Sequence, residues 1–410
     1  MVDADRTQHS RRNVLKIGGS TLAGTVVTAG CLGTGSTGEQ LTPTAGRGTV
    51  AMAPVGNVEF ETPPETVVGE WGFVADVLTA LGHGNTIAAM MDPSFWYTGF
   101  YEELDGVPAR DPYSIPTIGT HDALKRETLY GLGADMLAID PNKMINTYGL
   151  DRDDITELEE NAAPFFGNHS RDDRGGGWPN YPSGESYQYY TIPGFVEKYG
   201  QVFDERDRAA ALVEFYEETL DGILSDVPDE DPTVALLSAF ANPENFGYWG
   251  VDRPVPNHDK PTYGRKQYRD IGVEDAFEGE YTGSSSESEA LQIDSEALLE
   301  VDPDIIFFRE AIRFVDVDES KLQYGNLYKQ TRNILESDPV TQKITAVQEG
   351  NLYVGGTDNQ GPIINLFQTE MLAKQLYPET FGTWPGVGEV PPDEELVDRD
   401  RLAEIVTGSV

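Results

Sequence analysis

The residues best suited to contact a ligand come after short apolar segments of the chain. They are Trp71, Trp96, Tyr97, Tyr248, Trp249, Arg309, Arg313 and Asn359. Aromatic rings offer a large flat contact area at little loss of side-chain entropy, which suits a bulky ligand. Arginine offers a forked set of donors for the oxygens of a carboxylate or a similar anionic group. The pattern predicts a ligand-binding site of rings and guanidinium groups, with no catalytic or metal-ligating residue assigned.

The apolar segments before these residues are predicted strands. They span residues 66–69, 86–91, 135–139, 233–238, 305–308 and 351–354. They alternate with segments of helical period, which favours an α/β fold whose mainly parallel sheets carry helices on both faces. In such sheets ligands bind beyond the carboxyl ends of the strands, so the residues that follow the strands should meet in one cleft.

The longest helical pattern, residues 204–227, divides the alternating segments into two groups. Its apolar residues form one stripe, and acidic residues occupy the other faces. We therefore expect two Rossmann-like lobes, residues 50–203 and 228–410, joined by this one long helix.

Three shorter segments complete the expected organisation. Helices are predicted over residues 338–347 and 362–376. Residues 164–194 are rich in glycine, proline and aromatic rings, and the favoured interpretation is a surface insertion that packs on its own rings.

The first 30 residues have the pattern of an export signal. Arg11 and Arg12 precede an uncharged, apolar stretch over residues 17–30, which is too short for a bilayer core that needs about 20 residues. The pattern resembles the twin-arginine signal peptide, whose route exports folded proteins.

Cys31 is the single cysteine of the chain and follows the apolar stretch directly. Thr28-Ala29-Gly30-Cys31 resembles a lipobox, which implies that Cys31 becomes lipidated; a free cysteine is the alternative. Residues 31–49 are mostly small and polar and predict a flexible tether. Together these features predict a protein held by a lipid anchor on the extracellular face of the cytoplasmic membrane.

The chain is strongly acidic. Its 70 Asp and Glu residues outnumber 29 Lys and Arg, giving a formal net charge of −41 over 410 residues. Phosphate backbones repel such a surface, so nucleic acid is not an expected partner. Sparse lysine with abundant carboxylates is typical of a halophile's protein.

Several short motifs, in order along the chain, resemble those of the substrate-binding proteins of iron-siderophore and cobalamin ABC importers. They lie at residues 118–120, 129–137, 268–273, 302–307, 347–353 and 373–381. The sequence departs from the family pattern at Ala134, where the family has proline. The resemblance implies a two-lobed binding protein, not an enzyme, that captures a ferric siderophore or similar metal chelate and needs no cofactor of its own.

The same resemblance implies partners. Family members dock on an ABC permease, which works with its ATPase, through one glutamate on each lobe. The matching residues are Glu127 and Glu296, each at the start of a predicted helix. Helix starts favour acidic residues for electrostatic reasons as well, so ordinary surface charge is the alternative interpretation.

Two other functions stay open at this point. A bare transition-metal binder would share the fold, but it needs converging His, Asp and Glu, and the five histidines are scattered. They are His9, His83, His121, His169 and His258. An exported hydrolase is the other alternative, although the chain carries no G-x-S-x-G, H-E-x-x-H or P-loop motif.

The charge predicts that folding depends on salt. Self-repulsion among the carboxylates destabilises the compact state, and at ~1 M salt the Debye length falls to about 3 Å, which screens most of it. The unfolding midpoint should therefore rise between dilute buffer and multimolar KCl, as followed by circular dichroism. An unchanged midpoint would contradict the halophilic interpretation.

Overall fold

The computed structural model describes residues 48–120, 123–172, 187–229, 232–254, 261–278, 291–315, 317–322 and 325–409. The predicted signal peptide, Cys31 and all but the last two residues of the predicted tether lie outside these ranges. None of the helices in the described ranges has the length and apolar character that crossing a bilayer requires.

Thirteen strands are formed by the described residues. In chain order they are β1 (Gly48–Met52), β2 (Gly56–Phe60), β3 (Val67–Gly69), β4 (Ile87–Met90), β5 (Gly119–Thr120), β6 (Ala123–Leu124), β7 (Met136–Ala138), β8 (Thr233–Ser238), β9 (Trp249–Asp252), β10 (Glu274–Asp275), β11 (Leu291–Ile293), β12 (Ile305–Arg309) and β13 (Leu352–Val354).

The α-helices of the described residues follow or separate these strands. They are α1 (Gly72–Ala80), α2 (Arg126–Gly131), α3 (Pro141–Tyr148), α4 (Arg152–Asn161), α5 (Ile192–Val202), α6 (Arg206–Ser225), α7 (Pro243–Phe246), α8 (Lys266–Ile271), α9 (Ser295–Val301), α10 (Leu327–Ser337), α11 (Thr345–Glu349), α12 (Pro362–Leu376), α13 (Pro378–Phe381) and α14 (Arg399–Thr407).

Two sheets position the candidate site. In the first, β3 lies between β4 and β7 and pairs with both in parallel. In the second, β12 lies between β8 and β13, again in parallel, while β9 and β11 add antiparallel strands at one edge. The parallel strands of each sheet end at a common edge. This architecture confirms the predicted α/β fold class.

Helix α6 lies between the two sheets in the sequence, as predicted for residues 204–227. Its apolar stripe is buried, including Leu212, Phe215 and Leu220. The helix packs against α5, α12 and α14. It is flanked at its start by Asp204, whose φ of 58° interrupts the helical path.

One predicted helix is wrong. Residues 338–347 do not form a helix, because α10 ends at Ser337 and the Asp338 carboxylate caps a new turn by accepting the backbone N–H groups of Val340 and Thr341. A short 3-10 turn and then α11 follow. The helix predicted over residues 362–376 is confirmed as α12, and all 15 of its residues are buried.

The end of the chain returns to the first sheet. Val397, Leu402 and Val406 are buried in the same core as Val50 and Phe73. The second sheet has its own core, which includes Trp249, Phe277 and Leu335. The final helix thus completes a core that the first strands of the described chain begin.

Candidate functional site

The loops beyond the carboxyl ends of the two sheets meet each other. We call this meeting surface the seam: the loops after β3, β4 and β7 and residues 166–172 on one side, and residues 262–265 with the loops after β12 and β13 on the other. Across it, Arg313 Nε donates to the Ser94 carbonyl oxygen at 2.7 Å, and Arg313 Nη2 donates to Ser94 Oγ at 3.1 Å. The Tyr263 ring stacks on Phe73 at 3.9 Å with planes 7° apart.

A stack of cations and rings runs across the seam. The Arg313 guanidinium lies 3.8 Å from the Phe95 ring centre, and Phe95 stacks on Trp71 at 5.8 Å. Lys143 Nζ and the Arg171 guanidinium lie 4.3 Å and 4.7 Å from the Trp71 ring centre. Such cation–π contacts hold the rings and the charges in fixed relative positions.

A buried acid–histidine pair supports Trp71 from the side. His169 Nδ1 lies 2.6 Å from Glu70 Oε1, and the His169 ring meets Trp71 edge-on at 5.4 Å. Burial lowers the pKa of His169 below its usual range, although Glu70 acts in the opposite direction. Burial acts to raise the pKa of Glu70, but its attraction to His169 and Lys143 lowers that pKa overall. Burial also lowers the pKa of Lys143 to about 8.

The arginines of the seam already have carboxylate partners. Arg171 lies 2.6 Å from Asp172, and Arg265 reaches the same Asp172 at 3.2 Å from the other side of the seam. Burial acts to raise the pKa of Asp172, but these two guanidinium groups hold it well below its usual range. The seam therefore presents oriented donors with little net positive charge.

Arg309 is paired in the same way. It lies 3.0 Å from Asp358 and 3.1 Å from Asp252. These carboxylates keep the pKa of Arg309 above its usual value in spite of burial. The predicted site residue is thus at the seam, but its charge is matched by two acids of its own half of the chain.

Buried polar groups without partners also occur at the seam. Asn142 follows β7 and Asn359 follows β13; both are fully buried, and neither side-chain amide has a hydrogen-bond partner among the described residues. Arg265 Nε also lacks one. Unpaired buried polar groups are costly, so these atoms are suited to hydrogen-bond a ligand or water.

A cavity of about 990 Å³ opens beside this stack. Ser94, Trp96 and Tyr97 line it from the loop after β4, and Arg313 lines it from the loop after β12. Residues 385–389 form part of its lining too. The cavity and the stack adjoin at Arg313, which belongs to both, and we call the two together the cleft.

The structure brings several predicted site residues together. Trp71, Arg309, Arg313 and Asn359 lie at the seam, whereas Trp96 and Tyr97 line the cavity. Trp96 is only 2% exposed and donates its indole N–H to the Tyr101 hydroxyl at 2.9 Å.

Two predicted site residues are placed elsewhere. Trp249 begins β9 instead of ending a strand, its ring is fully buried in the second core, and its indole N–H donates to Ser295 Oγ at 3.1 Å. Tyr248 contacts Phe246 at 5.9 Å and does not line the cavity. The sequence analysis treated Trp249 as a residue that follows the strand over residues 233–238. It instead begins the next strand, β9, where its ring faces the core.

Some seam residues were missed because they lie in the predicted insertion, residues 164–194. Residues 173–186 lie outside the described ranges. The described part does more than pack on itself: Phe166 contacts Phe60 and Tyr199, and Arg171 reaches Trp71. The adjacent Arg171-Asp172 pair was the available signal, but pairs of opposite charge are common in loops.

The two predicted docking glutamates are exposed. Glu127 lies in the first turn of α2 and Glu296 in the first turn of α9. The described residues contain no group of three or more His, Cys, Asp or Glu arranged to hold a metal ion. His9, His121 and His258 lie outside the described ranges.

Comparison with known families decides the kind of protein. A family model described as Periplasmic binding protein matches residues 66–358. The chain belongs to this family. The matched span contains both sheets and most of the seam, while β1, β2 and everything after the loop that follows β13 lie outside it. The family expected from the motifs is confirmed, and it is one of binding proteins.

Solved structures of the same fold extend this result. The petrobactin-binding protein YclQ of Bacillus subtilis is 12% identical, with a TM-score of 0.51 over 80% of this chain and 97% of its own. The catecholate-siderophore-binding protein VctP of Vibrio cholerae is 16% identical, with a TM-score of 0.50 over 80% and 99%. An ABC transporter solute-binding protein of Sulfurospirillum deleyianum is 12% identical, with a TM-score of 0.54 over 85% and 94%. No curated protein matches the chain.

The pair of Asp172 with the buried Arg265 across the seam should matter more for stability than an exposed pair. Asp172→Asn leaves Arg171 and Arg265 short of a counter-charge in a desolvated site and should cost about 3 kcal/mol. Asp111→Asn breaks the exposed pair with Lys321, which joins the same two halves at 2.8 Å, and should cost less than about 1 kcal/mol. Denaturant unfolding of both variants at one salt concentration measures the difference, and equal losses would contradict the assignment of Asp172.

Proposed function

We propose that this periplasmic binding protein captures a ferric siderophore or a similar metal chelate in the cleft and delivers it to an ABC permease and its ATPase. The proposal rests on one observation above the others: Arg313 lines the cavity and also begins the stack with Phe95 and Trp71. A chelate in the cavity would meet aromatic surface and the guanidinium N–H groups of Arg313 beyond those bonded to Ser94 and Glu310, at the same wall.

The size and chemistry of the cavity suit this class of ligand. A volume of about 990 Å³ is at the upper end of the range for small-molecule sites. Because the four seam arginines are already paired with carboxylates, the site favours a chelate of low net charge recognised by hydrogen bonds and ring contacts. The siderophore-binding functions in the names of YclQ and VctP, which share the fold, are consistent with this proposal.

Direct detection of the ligand tests the proposal. Protein purified from its own growth medium should carry a coloured chelate, seen by absorbance and by native mass spectrometry. Apo protein titrated with a ferric trihydroxamate such as ferrioxamine B should show quenching of tryptophan fluorescence. A protein that carries no chelate and responds to neither hydroxamate nor catecholate complexes would refute the proposal, and turnover of esters, glycosides or peptides would favour an exported hydrolase instead.

Arg313 provides the matched variant for the same titration. Arg313→Met removes the donor at the cavity wall and should weaken chelate binding at least tenfold. Arg332→Met is the control, since Arg332 lies on α10 and pairs with Glu336 at 2.9 Å away from the cavity lining. Equal affinities of the two variants for the chelate would show that Arg313 does not contribute to binding.

We also propose that Glu127 and Glu296 dock on the permease. Both are exposed at helix starts, where a permease arginine could reach them. Reversing both charges, Glu127→Arg with Glu296→Arg, should abolish chelate uptake by cells and leave the dissociation constant unchanged. Glu300→Arg, on an exposed position of the same helix as Glu296, should leave uptake intact. Loss of chelate binding in the double variant would overturn the docking role.

The amino-terminal features complete the proposal. Export through the twin-arginine signal and lipidation of Cys31 would place the protein on the extracellular face of the cytoplasmic membrane, close to its permease. Cys31→Ser should release the protein from the membrane fraction into the medium.

A further inference from the structure

The carboxyl-terminal segment, residues 382–409, lies outside the span that matches the family. We call it the strap. It leaves the second half of the chain after α13 and ends with α14 against α6.

A buried arginine fixes the strap to both halves of the chain. Arg399 Nη2 donates to Glu370 Oε2 of α12 at 2.6 Å and to Glu103 Oε2 of the first half at 3.1 Å. Arg399 is 6% exposed and its guanidinium also covers the Phe367 ring at 4.6 Å. Removing one partner from such a buried group is costly, so the strap has one preferred position.

Helix α14 adds an apolar anchor. Leu402, Ile405 and Val406 are buried in the first core. On the exposed side, Arg401 pairs with Glu218 of α6 at 2.7 Å. The strap is therefore part of the folded body and not a loose tail.

Ahead of these anchors in the sequence, the strap contributes to the wall of the cavity. Residues 385–389 line it together with Trp96, Tyr97 and Arg313. Gly388 N donates to Glu103 Oε1 at 3.2 Å, so the carboxylate that binds Arg399 also holds the wall. Val387 is half-buried, packs against the first core and contributes to the lining.

We propose that the strap is a specificity element: residues 385–389 limit the size of chelate that the cavity accepts, and Arg399 positions them through Glu103. The proposal rests on the proposed function, since it assigns the ligand to this cavity. It locates part of the ligand selectivity in a segment beyond the matched family span.

Two ferric chelates that differ only in bulk test the wall. N-acetyl and N-dansyl ferrioxamine B have the same iron coordination and no free amine, but the second is larger. Val387→Trp should weaken binding of the dansyl derivative at least tenfold more than binding of the acetyl derivative, and Val387→Gly should shift the ratio of the two affinities in the opposite direction. Asp393→Trp, on an exposed strap residue outside the lining, is the control and should leave the ratio unchanged. An unchanged ratio in Val387→Trp would overturn the proposal.

A second measurement needs no ligand, so it separates the strap from the proposed function. Thr98 lines the cavity, and Thr98→Cys in a Cys31→Ser background gives one thiol there. This thiol is labelled with a small and with a bulky methanethiosulfonate reagent. The labelling rate of the bulky reagent divided by that of the small one should fall at least fivefold in Val387→Trp and rise in Val387→Gly. If wild-type protein binds neither chelate but the labelling ratios change, the proposed ligand class is wrong and the role of residues 385–389 as a wall of the cavity is supported. If the labelling ratios stay constant, that role is refuted even if the chelates bind.

Arg399→Lys tests the positioning role. Lysine keeps the charge but lacks the planar guanidinium, whose Nη2 donates to both Glu103 and Glu370 and whose Nη1 donates to the Val397 carbonyl oxygen. The labelling ratio at Thr98→Cys should move toward that of Val387→Gly, a change that a purely stabilising residue would not cause in protein that is fully folded by circular dichroism. A labelling ratio equal to that of the wild type in folded Arg399→Lys would show that Arg399 does not position residues 385–389.

Discussion

Helix α12 has no exposed face, and this constraint organises the whole fold. A helix buried on every side must satisfy each of its polar side chains internally. Asn365 meets the Tyr216 hydroxyl of α6, and Gln368 donates to Gln360 at 2.7 Å. At its amino end, Asp76 of α1 accepts the backbone N–H of Ile364 at 3.0 Å, where the helix dipole favours a carboxylate.

The contacts of α12 extend to both halves of the chain. It packs against α1 and α5 on one side and α8 on the other. The pKa of Asp76 is nonetheless raised to about 7 by burial, with the hydrogen bond from Tyr101 acting against the rise. The same Tyr101 accepts the indole N–H of Trp96. One wall of the cavity is thus continuous, through hydrogen bonds, with the start of the central helix.

Charge is used differently on the surface and at the seam. The surface carries a large excess of carboxylates, and salt screens their mutual repulsion. At the seam, every arginine named above lies close to a carboxylate, so each positive charge that is shielded from water has a negative partner. These arginines are Arg171, Arg265, Arg309 and Arg313. Matched buried pairs are screened little by salt, and they orient donors without creating a strong field. Recognition in such a site depends on geometry more than on net charge.

The sequence contained enough to predict the fold class and several residues of the seam. Elements with a clear local pattern, such as the apolar run of β12 and the amphipathic stripe of α6, were identified directly. Trp71 and Arg313 were predicted because ligand-contacting residues in α/β proteins follow strands, and the structure places both at the seam. Trp249 was misplaced because it begins the strand β9 and does not follow one, so its ring lies in the core and not in the cleft.

Long-range partners could not be predicted from the sequence. Arg265 and Asp172 are 93 residues apart, and Arg399 and Glu103 are 296 apart. Neither pair has a spacing that marks it, and an acidic chain offers many other partners for each arginine. The complete burial of α12 likewise removes the amphipathic period that would have shown which neighbours it contacts.

The shared core of Val50 and Val406 has a consequence for biosynthesis. Until α14 has been synthesised, the first sheet lacks part of its hydrophobic packing, so the amino-terminal half reaches its full stability only together with residues 399–407. Segments at opposite ends of the described chain therefore acquire their tertiary packing in one step.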